Sequence, residues 1–140
     1  MDASAILQPV FVLAVLTGVM GLWMFFTRIP TMIRLGVDAQ QAQDTSRLRD
    51  LLPAETMRVS NNYNHLFEQP TLFYAVAISI AVLGHVDALY VQCAWAYVVL
   101  RIVHSLVQAT VDIVLVRLAI FVLTWWVLGF MIVREAVALF

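Results

Sequence analysis

The sequence predicts an all-α integral membrane protein, a single domain over residues 1–140 built as a four-helix up-down bundle. Three observations predict it. The 140-residue chain is 63% hydrophobic and 12% charged, with a mean hydropathy of +0.91, whereas a soluble domain is about half apolar and a quarter charged. Four uninterrupted apolar runs, about 5–27, 66–83, 88–107 and 113–133, have the length that crosses a bilayer, roughly 20 residues each. They lack the polar residue at every second position that a membrane β-barrel requires. Finally, the links "GHVD" and "QATVD" are so short that the helices they join must run antiparallel.

The first span opens with "MDASAILQ", an acid and no basic residue, and continues as "VFVLAVLTGVMGLWMFF". That run is longer than the apolar core of a signal peptide, so a retained spanning helix is expected. Gly18 and Gly21 within it permit close helix contact. A long link follows, Arg28 to Arg58, carrying Arg28, Arg34, Arg47, Arg49 and Arg58, while the other side of the bundle offers only Arg134. The positive-inside rule places this 28–58 loop in the cytoplasm and both termini outside. Pro30 and Pro53 punctuate it, and "AQQAQDTSRLRDLL" between them predicts a surface helix. The loop reads as a solvated linker, with an active-site cover as the alternative. In the second span Pro70 predicts a kink that loosens carbonyls beside Glu68.

Composition also excludes partners and chemistries. Cys93 is alone, which rules out an intramolecular disulfide and a multi-cysteine metal site; it reads as a packing residue. The net charge of −1, with no basic stripe, gives no reason to expect a nucleic-acid partner. The histidines and acids lack the short spacings of a metal site, so no metal is expected. Trp23, Trp95, Trp125 and Trp126 read as packing or interface residues, and no nucleophile elbow or phosphate loop is present.

The chemistry lies in polar residues that a bilayer tolerates poorly. Arg58, Asn61, His65 and Glu68 follow spacings of three, four and three, one helical stripe flanked by Asn62 and Asn64. Tyr97, Arg101, His104 and Gln108 form a second stripe on the third helix. Asp112 and Arg117 stand at the start of the fourth. At 1.5 Å per residue, Glu68 and Arg101 lie about 10–15 Å in from the loop side, with Arg117 shallower. Three helices thus deliver polar side chains to one half of the bundle. Either the charges neutralise one another, or arginines hold the carboxylates of an anionic guest. Three arginines, two histidines and three asparagines face only two acids, and surplus cation in a membrane favours the guest.

The segments "RVSNNYNHLFEQPTLFY", "AYVVLRIVHSLVQAT" and "VDIVLVRLAIF" resemble the membrane-associated proteins in eicosanoid and glutathione metabolism, the MAPEG family, in its bacterial branch. The resemblance covers nearly the whole chain. It implies a homotrimer in the bacterial inner membrane, with glutathione bound as co-substrate between subunits. Carried over by motif, Arg58, Asn62 or Asn64, His65 and Glu68 on helix two, with Tyr97, Arg101 and His104 on helix three, would hold the tripeptide. Arg117 would stabilise its sulfur as thiolate, since a guanidinium in low dielectric lowers a thiol pKa. The implied activity is a glutathione transferase or peroxidase acting on lipophilic electrophiles or hydroperoxides. The alternative is a non-catalytic lipid- or metabolite-binding protein on the same scaffold. Asp112 departs from the asparagine expected there; if it pairs with Arg117, the thiolate loses its main stabiliser.

Overall fold

The computed structural model describes residues 1–140, the side chain of Thr45 excepted. It is all helical, with no strand among the described residues. Helix α1 spans Ser4–Leu35; a 3-10 turn, Ala39–Gln43, and α2, Thr45–Leu51, fill the link. Helices α3, Ala54–His65, and α4, Gln69–Leu83, make up the second transmembrane unit. Helices α5, Ala88–Ala109, and α6, Val114–Leu139, complete the bundle. Four units, Ser4–Leu35, Ala54–Leu83, Ala88–Ala109 and Val114–Leu139, are long and apolar enough to cross a membrane.

The boundaries depart from the expected spans where a proline or a cap decides them. Helix α1 runs beyond 27, through Pro30, and stops at Gly36, whose φ of 66° closes the C-cap. Proline removes one helical hydrogen bond, yet in apolar surroundings abandoning the following ones would cost more. The Thr27 and Thr31 hydroxyls also bond back to the Trp23 and Thr27 carbonyls at 2.9 and 2.6 Å. The second unit begins at Ala54 rather than 66, so the non-helical part of the expected 28–58 loop is much shorter. Helix α6 continues past 133 to Leu139.

The link is not a free linker. The single surface helix expected over 39–52 is divided at Asp44, whose backbone is extended because its carboxylate caps α2, accepting from Ser46 N at 3.0 Å. Leu48 and Leu52 are buried against Met32, with Met57 packed beside them. Two leucines therefore dock the link onto the ends of α1 and α3.

The predicted kink at Pro70 is a break. Pro70 occupies the first turn of α4, where its missing N–H costs nothing, but its ring excludes the helical carbonyl four residues earlier. The chain turns through Leu66–Glu68, closed by Phe67 N to Asn64 O at 3.0 Å and Glu68 N to His65 O at 3.3 Å.

The core joins Ile6, Leu13 and Met20 of α1 to Phe73, Ala77 and Ile80 of α4, Ala94 and Val98 of α5, and Leu128 and Met131 of α6. Phe73 stacks on Tyr97 with centroids 4.3 Å apart. Phe26, Val82, Leu115 and Trp126 are exposed, an apolar exterior suited to lipid or to another protein. At the end away from the link, Asp87 caps α5 through Tyr90 N at 2.9 Å and takes both guanidinium nitrogens of Arg134. Arg134 lies 4.1 Å over the Tyr90 ring, Tyr90 OH donates to Glu135 at 2.8 Å, and His85 Nδ1 lies 2.7 Å from the same carboxylate. This clasp ties the α4–α5 turn to α6. The Arg134 guanidinium beside Asp87, with the Tyr90 amide, pulls the Asp87 carboxyl down to about 2.

Candidate functional site

The inward face of the second unit is Val59, Asn62, Leu66, Gln69, Phe73, Ala77 and Ile80, a three-and-four spacing that keeps its phase across the break. The expected stripe of Arg58, Asn61, His65 and Glu68 lies one residue earlier, about 100° around the helix. Large apolar side chains explain the rotation, since Val59, Leu66 and Phe73 claim the core and carry Asn62 and Gln69 in with them. Arg58 and His65 are half-buried on the flank, while Asn61, Asn64 and Glu68 are exposed. On α5, by contrast, Tyr97, Arg101, His104 and Gln108 all face inward and are buried.

Arg101 is 0% exposed. Its Nη2 donates over 3.4 Å to the His65 carbonyl, a group that the break before Pro70 frees from regular helix pairing. Among the described residues no carboxylate stands in ion-pair range, and its Nε and Nη1 have no partner. Around it the Asn62 amide, His104 Nδ1, Ser105 Oγ and Gln108 Oε1 are also unpartnered. Gln69, which the sequence reading overlooked, accepts from Tyr97 OH at 3.1 Å and from Thr124 Oγ1 at 3.0 Å, joining α4, α5 and α6. Its signal was there: it stands four residues before Phe73 on the apolar face.

In front of this seam lies an open cleft of about 220 Å³, lined by His65, His104, Val114, Arg117, Leu118 and Phe121. The two imidazoles are 5.7 Å apart, and Glu68, 65% exposed, approaches His65 Nδ1 to 3.5 Å. The structure therefore brings His65, His104 and Arg117 together at an accessible surface. It places Tyr97, Arg101 and Asn62 behind them, enclosed within the chain.

The charge surplus is narrower than the sequence suggested. Arg117 Nη1 donates to Asp112 Oδ1, and Arg58 Nε lies 3.7 Å from the other oxygen of the same carboxylate. Arg58 Nη1 also donates to the Thr110 carbonyl at 3.1 Å. Of the three arginines, only Arg101 is without an acid among the described residues.

The cleft runs into a larger apolar groove of about 690 Å³ along α6, and Leu118 and Phe121 line both. Trp125, Trp126, Phe130 and Val133 continue it. Among the described residues, no three of His, Cys, Asp and Glu gather as a metal cluster. An arginine and two imidazoles, opening sideways onto an apolar groove, make a place where a polar anion can meet a lipophilic molecule.

The sequence model of the MAPEG family matches residues 6–137 of the 140-residue chain. The chain belongs to the MAPEG family. No curated protein and no solved structure matches it significantly. Membership accounts for a bundle of four units long and apolar enough to cross a membrane, associates this MAPEG chain with the bilayer, and is consistent with glutathione-related chemistry.

Proposed function

We propose that this MAPEG protein is a glutathione-dependent membrane enzyme, a transferase or peroxidase acting on lipophilic electrophiles or hydroperoxides. The observation that carries the reading is the junction at Leu118 and Phe121, where the cleft of Arg117, His65 and His104 becomes the apolar groove of α6. Glutathione brings two carboxylates, an ammonium group and a thiol to the polar side. The second substrate comes from the bilayer along the groove.

In the transfer reaction the sulfur, deprotonated beside Arg117, attacks the electrophilic carbon. A C–S bond forms and the leaving group departs with its electron pair, or, in an addition, the pair stays on the adduct and takes up a proton. With a hydroperoxide the thiolate attacks the terminal oxygen and the O–O bond breaks. The alcohol leaves after protonation, and a second glutathione converts the sulfenic acid to the disulfide and water. In this reading His65, which lines the cleft, touches the tripeptide and Glu68 beside it takes the ammonium group, while Arg58 and Asn64 line neighbouring cavities and reach the tripeptide only from their edges. Asn62, Tyr97 and Arg101 support this surface from behind, Arg101 through the His65 carbonyl. His104 borders both layers.

The exposed polar flank of Asn61, Asn64 and Glu68 supports a homotrimer with the site between subunits, because lipid is a poor neighbour for it. The cleft, about 220 Å³, falls short of the roughly 300–1,000 Å³ of a complete small-molecule pocket; a neighbouring subunit supplies the other wall. The arginine-rich link lies in the cytoplasm of a bacterial inner membrane, and both termini lie outside.

The test is ultraviolet thiolate absorbance on adding glutathione to the purified protein, with turnover of a lipophilic electrophile. Wild type gains absorbance and turns over; Arg117→Ala does neither. A non-catalytic binding protein is the second reading, favoured by the Asp112 carboxylate already sitting on Arg117. Glutathione binding without turnover would establish it.

A further inference from the structure

We infer that Asp112 is a positioning residue for Arg117, a built-in competitor that occupies the guanidinium until a thiolate displaces it and so sets the pH at which a bound thiol ionises. The inference rests on the glutathione reading above and specifies how its site is regulated.

Asp112 lies in the turn between α5 and α6, and its φ of 51° makes it the one non-glycine residue with positive φ among those described. An aspartate in that region is uncommon and needs outside support. Support comes from two helices. Arg58 of α3 and Arg117 of α6 share the carboxylate, and Arg58 also holds the Thr110 carbonyl of the same turn at 3.1 Å. The turn closes through Asp112 N to Val107 O at 2.8 Å. This carboxylate sits between two cavities: Arg58 lines one of about 510 Å³ with Trp23, Arg34 and Glu55, and Arg117 lines the cleft.

The charge balance gives the consequence. The charged and titratable groups at the cleft or directly behind it are His65 of α3, His104 of α5 and Arg117 of α6 in its lining, Glu68 beside His65, Asp112 and Arg58 on the far side of Arg117, and Arg101 enclosed behind. With neutral histidines, three guanidinium groups against two carboxylates leave one positive charge. Glutathione with its thiol protonated carries one negative charge and matches it. The thiolate carries two and does not. Arg117 is already paired with Asp112, so a thiolate can use that guanidinium only by taking Asp112's place on it. The S–H proton leaves through the open mouth of the cleft to solvent, the electron pair stays on sulfur, and the Asp112 carboxylate remains with Arg58.

Asp112→Asn removes the competing charge and keeps a residue that tolerates the left-handed backbone. Full-length protein is titrated in two ways. Thiolate absorbance with glutathione against pH reads the proposed ligand. A Leu118→Cys reporter in a Cys93→Ser background, alkylated with iodoacetamide across pH, reads Arg117's field without glutathione. Asp112→Asn is expected to lower both ionisation midpoints by about one pH unit, tenfold more thiolate below the midpoint. Arg58→Gln, which leaves Asp112 to Arg117 alone, is expected to raise the reporter's midpoint, and it stands in if Asp112→Asn does not fold. A merely structural turn residue would change thermal stability and leave these midpoints in place. An unmoved reporter overturns the inference. A shifted reporter with no glutathione signal in either protein supports Asp112's role and defeats the glutathione reading instead.

Discussion

Arg101 shows how a side chain can be expensive to bury and still be kept. A fully enclosed guanidinium whose one protein hydrogen bond spans 3.4 Å gains little from that contact, because hydrogen bonds weaken quickly beyond about 3.2 Å. Desolvation of the charge costs several kcal/mol. The balance is unfavourable unless Arg101 is kept for the seam it organises. Arg101→Met is therefore expected to raise the thermal midpoint of ligand-free protein, by the equivalent of about 1 kcal/mol or more, while weakening glutathione binding and the stabilisation glutathione confers. Thermal scans with and without glutathione check both; a lower midpoint without ligand shows that the charge is structurally compensated. The α5 stripe was legible from sequence because Tyr97, Arg101, His104 and Gln108 repeat at helical spacing on an uninterrupted helix. The Arg58–Glu68 stripe was legible as a pattern but not as a direction. Spacing identifies residues that share a face, and the neighbouring Val59, Leu66 and Phe73 decided which face turned inward.

The break between α3 and α4 is the element that gives Arg101 its acceptor. In a continuous helix the Gln69 N–H would take the His65 carbonyl; here the turn through Leu66–Glu68 leaves that oxygen to Glu68 N and Arg101. Pro70→Ala lets the segment wind through. The expected result is slower amide hydrogen exchange over 66–71, a modest gain in stability, and weaker glutathione binding as Arg101 loses its anchor and Glu68 swings around the helix. Exchange measured by mass spectrometry, with calorimetric titration, tests both. Unchanged binding in a healed helix would detach the break from the site. Proline announced an irregularity in the sequence at both Pro30 and Pro70, and the outcomes differ for a local reason. At Pro30 the helix keeps going, with threonine hydroxyls bonded to carbonyls nearby, whereas at Pro70 three residues of turn absorb the interruption. The docked link was likewise hidden, because Leu48 and Leu52 reveal their role only once Met32 and Met57 are beneath them.

Across the whole molecule the two ends of the bundle handle charge differently. The link end has Arg28, Arg34 and Arg49 without an acid in ion-pair range among the described residues, whereas the far end binds its single arginine to Asp87. The proposed orientation rests on the count of arginines, which this pairing leaves as it is, because acids contribute little to the positive-inside rule. The pairing makes the clasp the part of the fold that acid should loosen. The Asp87 carboxyl titrates at about 2, below its ordinary 3.8, so the folded state holds the ionised form more tightly than the unfolded chain does. A depressed carboxyl contributes its stability above its unfolded value and loses it as pH falls through the folded one. The window is therefore pH 4 down to about 2. Asp87 is 44% exposed, which screens the pair and keeps the effect small. Asp2 and Asp44 are lowered as well, by hydrogen bonds from Ser4 and Ser46, so they add to any acid response. The informative quantity is thus the difference between wild type and Arg134→Gln. The two thermal midpoints are expected to lie furthest apart above pH 4 and to converge toward pH 2, because protonated Asp87 no longer distinguishes an arginine from a glutamine. A gap that stays constant across that window would mean that Arg134 stabilises the bundle through its packing over Tyr90 and not through its charge.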